Sequence, residues 1–157
     1  MPIQIIAVGK QREPFFRDAA MEYQRRLSRY VKLTMVEVQD EKDPGASPAL
    51  IARALDTEGE RILERIAPRD RVVALCIEGE QMDSGRFSEL VKAWQGQADP
   101  VVFVVGGSLG LSPAVLKRAD LKLSFSMMTF PHQLARVLLL EQVYRAYKIL
   151  SGERYHK

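Results

Sequence analysis

An α/β fold, a mostly parallel sheet of five to six strands with helices on both faces, is what this chain predicts, and three observations carry the prediction. Short apolar runs suited to strands alternate along the chain with stretches of helical period. Strands separated by helices pair in parallel, and the helices then cover both faces of the sheet. The length, 157 residues and 17.8 kDa, fits a single domain spanning 1–157 around one core, with neither internal repeats nor low-complexity segments to divide it.

Ile3–Val8 is a short apolar run that stops at Gly9. Pro14 stands where a first helical turn tolerates proline, and Phe16, Ala20, Tyr23 and Leu27 then recur at i, i+4, i+7 and i+11, one face of a helix. Leu33–Val38 is the second strand. The polar stretch 39–46, carrying Asp43, Pro44 and Gly45, is a loop and the candidate for a mobile flap. Ser47 and Pro48 cap and open a helix that turns Ile51, Leu55, Ile62 and Ile66 inward and stops at Pro68. Residues 72–77 form a buried strand, and Ser84 caps a helix patterned by Phe87, Leu90, Val91 and Trp94. Val101–Val105, bounded by Pro100 and Gly106, reads as a central strand. Ser112 and Pro113 start a short helix, 121–125 alternates as the last strand, and a long helix over 133–150 ends before Gly152.

Composition excludes several classes. Apolar content of 46% with 27% charge is that of a soluble globule, and no run of about 18 apolar residues is present to cross a bilayer. The opening Met1-Pro2-Ile3-Gln4 has no secretory pattern, and one cysteine, Cys76, excludes an internal disulfide and fits a reducing cytoplasm. Cys76, His132 and His156 stand at no metal-site spacing, so no metal is expected. Residues 131–157 hold five cations (Arg136, Arg145, Lys148, Arg154, Lys157) against two anions (Glu141, Glu153), so the net charge of +3 arises wholly in this segment. Such a face suits a polyanion by counterion release; a solvated helix face with cations near its C-terminus explains it equally.

In an open α/β sheet a ligand sits beyond the carboxyl ends of the strands. Three strand ends here carry unusual loops, Ile77-Glu78-Gly79, 106–110 and 126–131, whose convergence would build one pocket. Gly106, Gly107 and Gly110 make Gly-Gly-x-x-Gly, neither a dinucleotide fingerprint nor a Walker loop, so a phosphate cradle is poorly supported. Glycines let backbone groups approach a ligand closely, and Met127, Met128 and Phe130 offer soft apolar surface suited to an adenine ring. A plainer account, in which Gly106 and Gly107 turn the chain and the methionines fill core, stays open on the residues alone.

The run Leu-Ser-Phe-Ser-Met-Met-Thr-Phe-Pro over 123–131, entering His132 and a helix, occurs together with Val-Val-Phe-Val-Val-Gly-Gly-Ser-Leu-Gly over 101–110 and the ending Arg154-Tyr155-His156-Lys157. With these segments the whole chain resembles the RlmH family of SPOUT-class methyltransferases, which use S-adenosylmethionine. The resemblance implies a C-terminal segment tucked through a loop as a trefoil knot, an exception to the usual absence of threading. It implies a cytoplasmic homodimer whose cofactor sites are bordered by the partner subunit, and methylation of N3 of a pseudouridine in 23S ribosomal RNA of the assembled ribosome. Carried onto this chain, the cofactor site comprises Leu75, Ile77, Gly79, Gly106, Gly107, Gly110, Leu111, Phe125, Ser126, Met127, Met128, Thr129, Phe130, Pro131 and His132, and the catalytic group His156, Tyr155, Arg136 and Arg154.

The implied chemistry is an in-line displacement at a sulfonium methyl, which leaves the enzyme to align the reactants and raise the deprotonated fraction of an imide nitrogen. His156 would take that proton or position the base, Tyr155 would stack on it, and Arg136 or Arg154 would hold a phosphate or the developing anion. Plainer roles stand beside these: His132 satisfying loop carbonyls, a frayed tail at Tyr155 and His156, Cys76 packed in a strand, and Glu141 paired with an arginine. The run 137–140, Val-Leu-Leu-Leu, suits either a dimer helix or one buried within a single chain. A flavodoxin-type nucleotide-binding protein and a ribosome-binding factor without activity are the other functions the pattern permits.

Overall fold

The computed structural model describes residues 1–155. Its elements run β1 (Ile3–Val8), α1 (Pro14–Leu27), β2 (Leu33–Val38), α2 (Pro48–Leu63), β3 (Arg71–Gln81), α3 (Ser84–Gln95), β4 (Val101–Val105), α4 (Pro113–Arg118), β5 (Leu121–Ser124) and α5 (His132–Leu150). The strands form one five-stranded sheet, parallel throughout, in the order β2-β1-β4-β3-β5. β4 is its middle strand and every one of its residues is buried.

Side chains alternate across a strand, so each strand feeds two cores. Ile3, Ile5 and Ala7 of β1 and Val101, Phe103 and Val105 of β4 pack with α1, α3 and α5, while Ile6, Val8, Val102 and Val104 pack with α2 and α4. α5 lies against both α1 and α3 and buries Val137, Leu139, Leu140 and Val143. Burying each such side chain stabilises the fold by roughly 2 kcal/mol. Apart from Leu138, the apolar run 137–140 is thus occupied by the chain's own core.

The structure departs from expectation at two boundaries and one buried stripe. Asp83, not Ser84, caps α3, because the carboxylate accepts from the Arg86 amide at 2.7 Å; Ser84 instead donates to Gln142 Oε1 at 2.7 Å. The buried stripe of α2 is Ala54, Glu58, Gly59 and Ile62 rather than Ile51 and Leu55. α2 approaches the start of α4 at Gly59, where an added Cβ would lie 2.3 Å from Ser112 Oγ. β3 continues past Ile77 to Gln81, but only by breaking its register with β5.

Candidate active site

Three loops meet beyond the carboxyl ends of β3, β4 and β5 and enclose a cavity of about 800 Å³, within the range of small-molecule sites. The first comes from the register break: Leu123 pairs with Leu75 and again with Glu80, so residues 76–79 leave the ladder. The second follows β4. Gly107 and Gly110 form an isolated bridge, with the Gly110 amide donating to the Gly107 carbonyl at 3.1 Å, and Gly110 adopts φ +86°, where glycine is favoured. A Cβ on Gly106 would lie 2.5 Å from the Gly110 carbonyl oxygen, so this loop closes only around a bare backbone. In the third loop, Ser124 Oγ donates to the Ser126 carbonyl and the Met128 amide donates to Ser126 Oγ, each at 3.0 Å. These bonds curl 124–128 and leave Met128 74% exposed.

The cavity is lined by Leu75, Ile77, Gly106, Gly107, Gly110, Leu111, Phe125, Ser126, Met128, Thr129, Phe130, Pro131 and His132, all expected at a cofactor site. Two expected residues lie outside the lining. Met127 is 82% exposed, and Gly79 is packed so tightly on β5 that a Cβ would sit 2.7 Å from the backbone carbons of Lys122 and Leu123. Glu78, Ser108 and Leu109, which lie in the loops expected to converge, also line it, and so do Cys76, Val105, Leu116, Leu123, Ser124 and Ala135, which were not expected. The register break is what brings Cys76 and Glu78 in, and its only sequence trace is a glycine amid strand residues. Burial pushes the Cys76 thiol up, aided by Glu78, which keeps it protonated. Among the described residues no lysine or arginine lines the cavity, and no group of three His, Cys, Asp or Glu side chains converges to hold a metal.

The helix start is tied to the opposite half of the sheet. Arg136, 2% exposed, donates from Nη1 to Glu37 Oε2 at 2.7 Å and from Nη2 to the Gly9 carbonyl at 2.9 Å, while Gln11 Nε2 donates to the Gln133 carbonyl at 3.1 Å. Arg136 thereby clamps α5 to the ends of β1 and β2, away from the cavity lining. His132 borders the cavity, its pKa lowered by burial and then by Arg136.

Tyr155 packs on the flank of α5. Its hydroxyl donates to Glu141 Oε1 at 3.2 Å, its ring meets Tyr144 at 5.0 Å, and the Arg145 guanidinium lies 4.7 Å from its centroid. Arg145 Nε in turn donates to Glu141 at 3.0 Å, the pairing expected of Glu141. Burial and Glu141 push the Tyr155 phenol up to about 12, so it stands protonated, a donor rather than a base. At 1.5 Å per residue, Glu141 and Arg145 lie ~14 and ~20 Å along the helix from His132, and none of this cluster lines the cavity. The basic surplus is largely paired here, Lys148 with Glu153 and Arg136 with Glu37, and Arg154 is exposed. His156 and Lys157 lie outside the described residues.

Comparison with known proteins supplies the remaining findings. A family model described as "Predicted SPOUT methyltransferase" matches residues 1–156. Proteins named "Ribosomal RNA large subunit methyltransferase H" from Bifidobacterium animalis subsp. lactis, Carboxydothermus hydrogenoformans and Streptococcus thermophilus are 52%, 49% and 47% identical, each alignment covering 100% of both chains. The crystal structure of a probable methyltransferase from Bordetella pertussis Tohama I shares the fold, with a TM-score of 0.60 over 92% of this chain and 93% of that one at 20% identity.

Proposed function

The chain belongs to the SPOUT methyltransferase family and is a methyltransferase of large-subunit ribosomal RNA, and from that premise we propose that it uses S-adenosylmethionine to methylate N3 of a pseudouridine in the assembled ribosome. The observation that carries the proposal is the cavity at the ends of β3, β4 and β5, closed around bare glycine backbone and flanked by exposed Met128 and Phe130. The residues present suit such a cofactor: apolar side chains for an adenine ring, backbone amides and carbonyls for its edges, and, among the described residues, no lysine or arginine to repel a sulfonium. When bound, S-adenosylmethionine supplies an electrophilic methyl group.

What remains for the protein is alignment and proton management. Loops 106–110 and 124–131 hold the cofactor, and the Arg136 clamp fixes the start of α5, into which the 124–131 loop runs. Protonated Tyr155 donates a hydrogen bond or stacks on the target base, His156 handles the imide proton, and Arg154 meets the RNA backbone.

Within one chain the Tyr155 cluster and the cavity lie apart along α5, and this separation supports a homodimer in which the tail of one subunit borders the cavity of the other. A second groove, about 560 Å³, shares Phe125 and Phe130 with the cavity and runs on to Leu138 and Gln142 of α5, a surface for that partner. A knotted C-terminal segment within one catalytic domain completes the proposal. Calorimetric titration with S-adenosylmethionine, followed by transfer of labelled methyl groups to ribosomes with and without the pseudouridine, tests it. Binding together with pseudouridine-dependent transfer is expected; no binding removes the cofactor assignment, and binding without transfer leaves a ribosome-binding factor.

A further inference from the structure

We infer that Glu78 selects the nucleoside part of the ligand, its carboxylate accepting hydrogen bonds from both hydroxyls of the ribose. The inference rests on the reading of the cavity as the S-adenosylmethionine site. Residues 76–79 leave the β3–β5 ladder between the two pairings of Leu123, and Cys76, Ile77 and Glu78 then line the cavity. Gly79 fixes the return of this loop. A Cβ there would stand 2.7 Å from the backbone carbons of Lys122 and Leu123 and 2.8 Å from the Leu123 nitrogen, atoms that cannot step aside as a flexible side chain can. Main-chain packing one residue away therefore sets where Glu78 stands.

Glu78 is the single carboxylate among the described residues lining the cavity, and no Lys or Arg accompanies it. Its carboxylate makes no ion pair or hydrogen bond with another described residue. Of the three serines that line the cavity, two are engaged, Ser124 Oγ with the Ser126 carbonyl and Ser126 Oγ with the Met128 amide, and the third, Ser108, offers a single oxygen where Glu78 offers two. An ionised carboxylate is an acceptor only, with two oxygens side by side, and a vicinal diol offers two donors at matching separation. Because Glu78 is exposed, it meets a ligand at little desolvation cost, and it acts through short hydrogen bonds rather than through a screened long-range charge.

Calorimetric titration of the full chain with S-adenosylhomocysteine and with its 2′,3′-dideoxy counterpart, on the wild type and on Glu78→Ala, reads this directly. The wild type is expected to bind the dideoxy ligand about tenfold more weakly, Glu78→Ala to bind the native ligand about tenfold more weakly, and the variant to bind the two ligands alike. A dideoxy penalty as large in Glu78→Ala as in the wild type overturns the inference and leaves the pocket assignment standing. A wild-type protein that binds neither ligand overturns the assignment beneath it. Should the alanine variant fail to fold, Glu78→Gln, with one acceptor oxygen left, takes its place in the same comparison and is expected to lose part of the dideoxy penalty; full retention of the penalty overturns the inference equally.

Discussion

Around the cavity, apolar side chains stand in solvent and polar contacts fall to the backbone; on the flank of α5, Glu141, Arg145, Lys148, Glu153, Tyr30 and Tyr155 are bound to one another by ion pairs, hydrogen bonds and ring contacts. The first region leaves groups unsatisfied and the second satisfies them internally. Exposed Met128 and Phe130 gain by covering, as a ligand or partner would cover them, whereas the α5 cluster gains nothing further from a ligand until its pairs are broken. Changes at the cavity should therefore act on binding with little cost to folding, and changes in the cluster on the flank of α5 should act on folding or turnover with little cost to cofactor binding.

The largest effect belongs to Gly106→Val. With the Gly110 oxygen 2.5 Å from the position of a Cβ, the loop must open, and calorimetry should detect no S-adenosylmethionine binding while thermal unfolding remains cooperative. Gly107→Val should be milder, because a Cβ there would meet the Val8 side chain at 3.1 Å, a contact that a small shift relieves, rather than backbone. The reverse order would show that ligand space, not loop closure, sets the glycine requirement.

Next comes the tail. Removing 155–157, or His156→Ala, should lower ribosome methylation by about two orders of magnitude, in the range of general acid–base effects, with cofactor affinity unchanged. Tyr155→Phe keeps the ring against Arg145 and loses the hydroxyl's bonds to Glu141 and Tyr23, so a loss of several-fold is expected. Wild-type turnover by the truncated chain would place the chemistry at the cavity loops and erase the division of roles.

Arg136→Ala sharpens the boundary between the regions. Its guanidinium is buried and its partner Glu37 half-exposed, so breaking the pair should cost about 2 kcal/mol in urea unfolding. Because the clamp holds the start of α5, cofactor affinity should fall in step with stability. A large loss of turnover in a variant of unchanged stability would instead return Arg136 to the catalytic group.

Much of this was legible in the sequence. Val101–Val105 announces a central strand because five consecutive apolar residues can be solvated on neither face, and the pairing of prolines with preceding serines marks α2 and α4. The ring of cavity loops follows from parallel strands ending at one edge. The break in β3 was not legible, since a strand that loops out four residues and resumes looks locally like a strand that ends; the loop holding Glu78 was placed at the pocket, but Glu78 was not singled out within it. The tail's position was equally hidden: Tyr155 is placed by Tyr144, Glu141 and Arg145, contacts that no local periodicity encodes.

The smallest effect tests the one titratable imidazole at the cavity edge among the described residues. Burial, and secondarily Arg136, holds His132 below its ordinary value of 6.5, with Asp40 opposing weakly. The folded chain thus resists a proton that the unfolded chain accepts, so the unfolded state binds more protons just below pH 6.5 and stability rises with pH through that window. This contribution is whole above about pH 6.5 and is lost as pH falls from there toward the lower folded value. Urea midpoints taken from pH 8 to pH 5.5 should therefore fall more for the wild type than for His132→Gln, with the difference confined to the acid side. Midpoints that run parallel would mean that His132 is as well solvated as a free imidazole, and that the mouth of the cavity is wetter than its lining suggests.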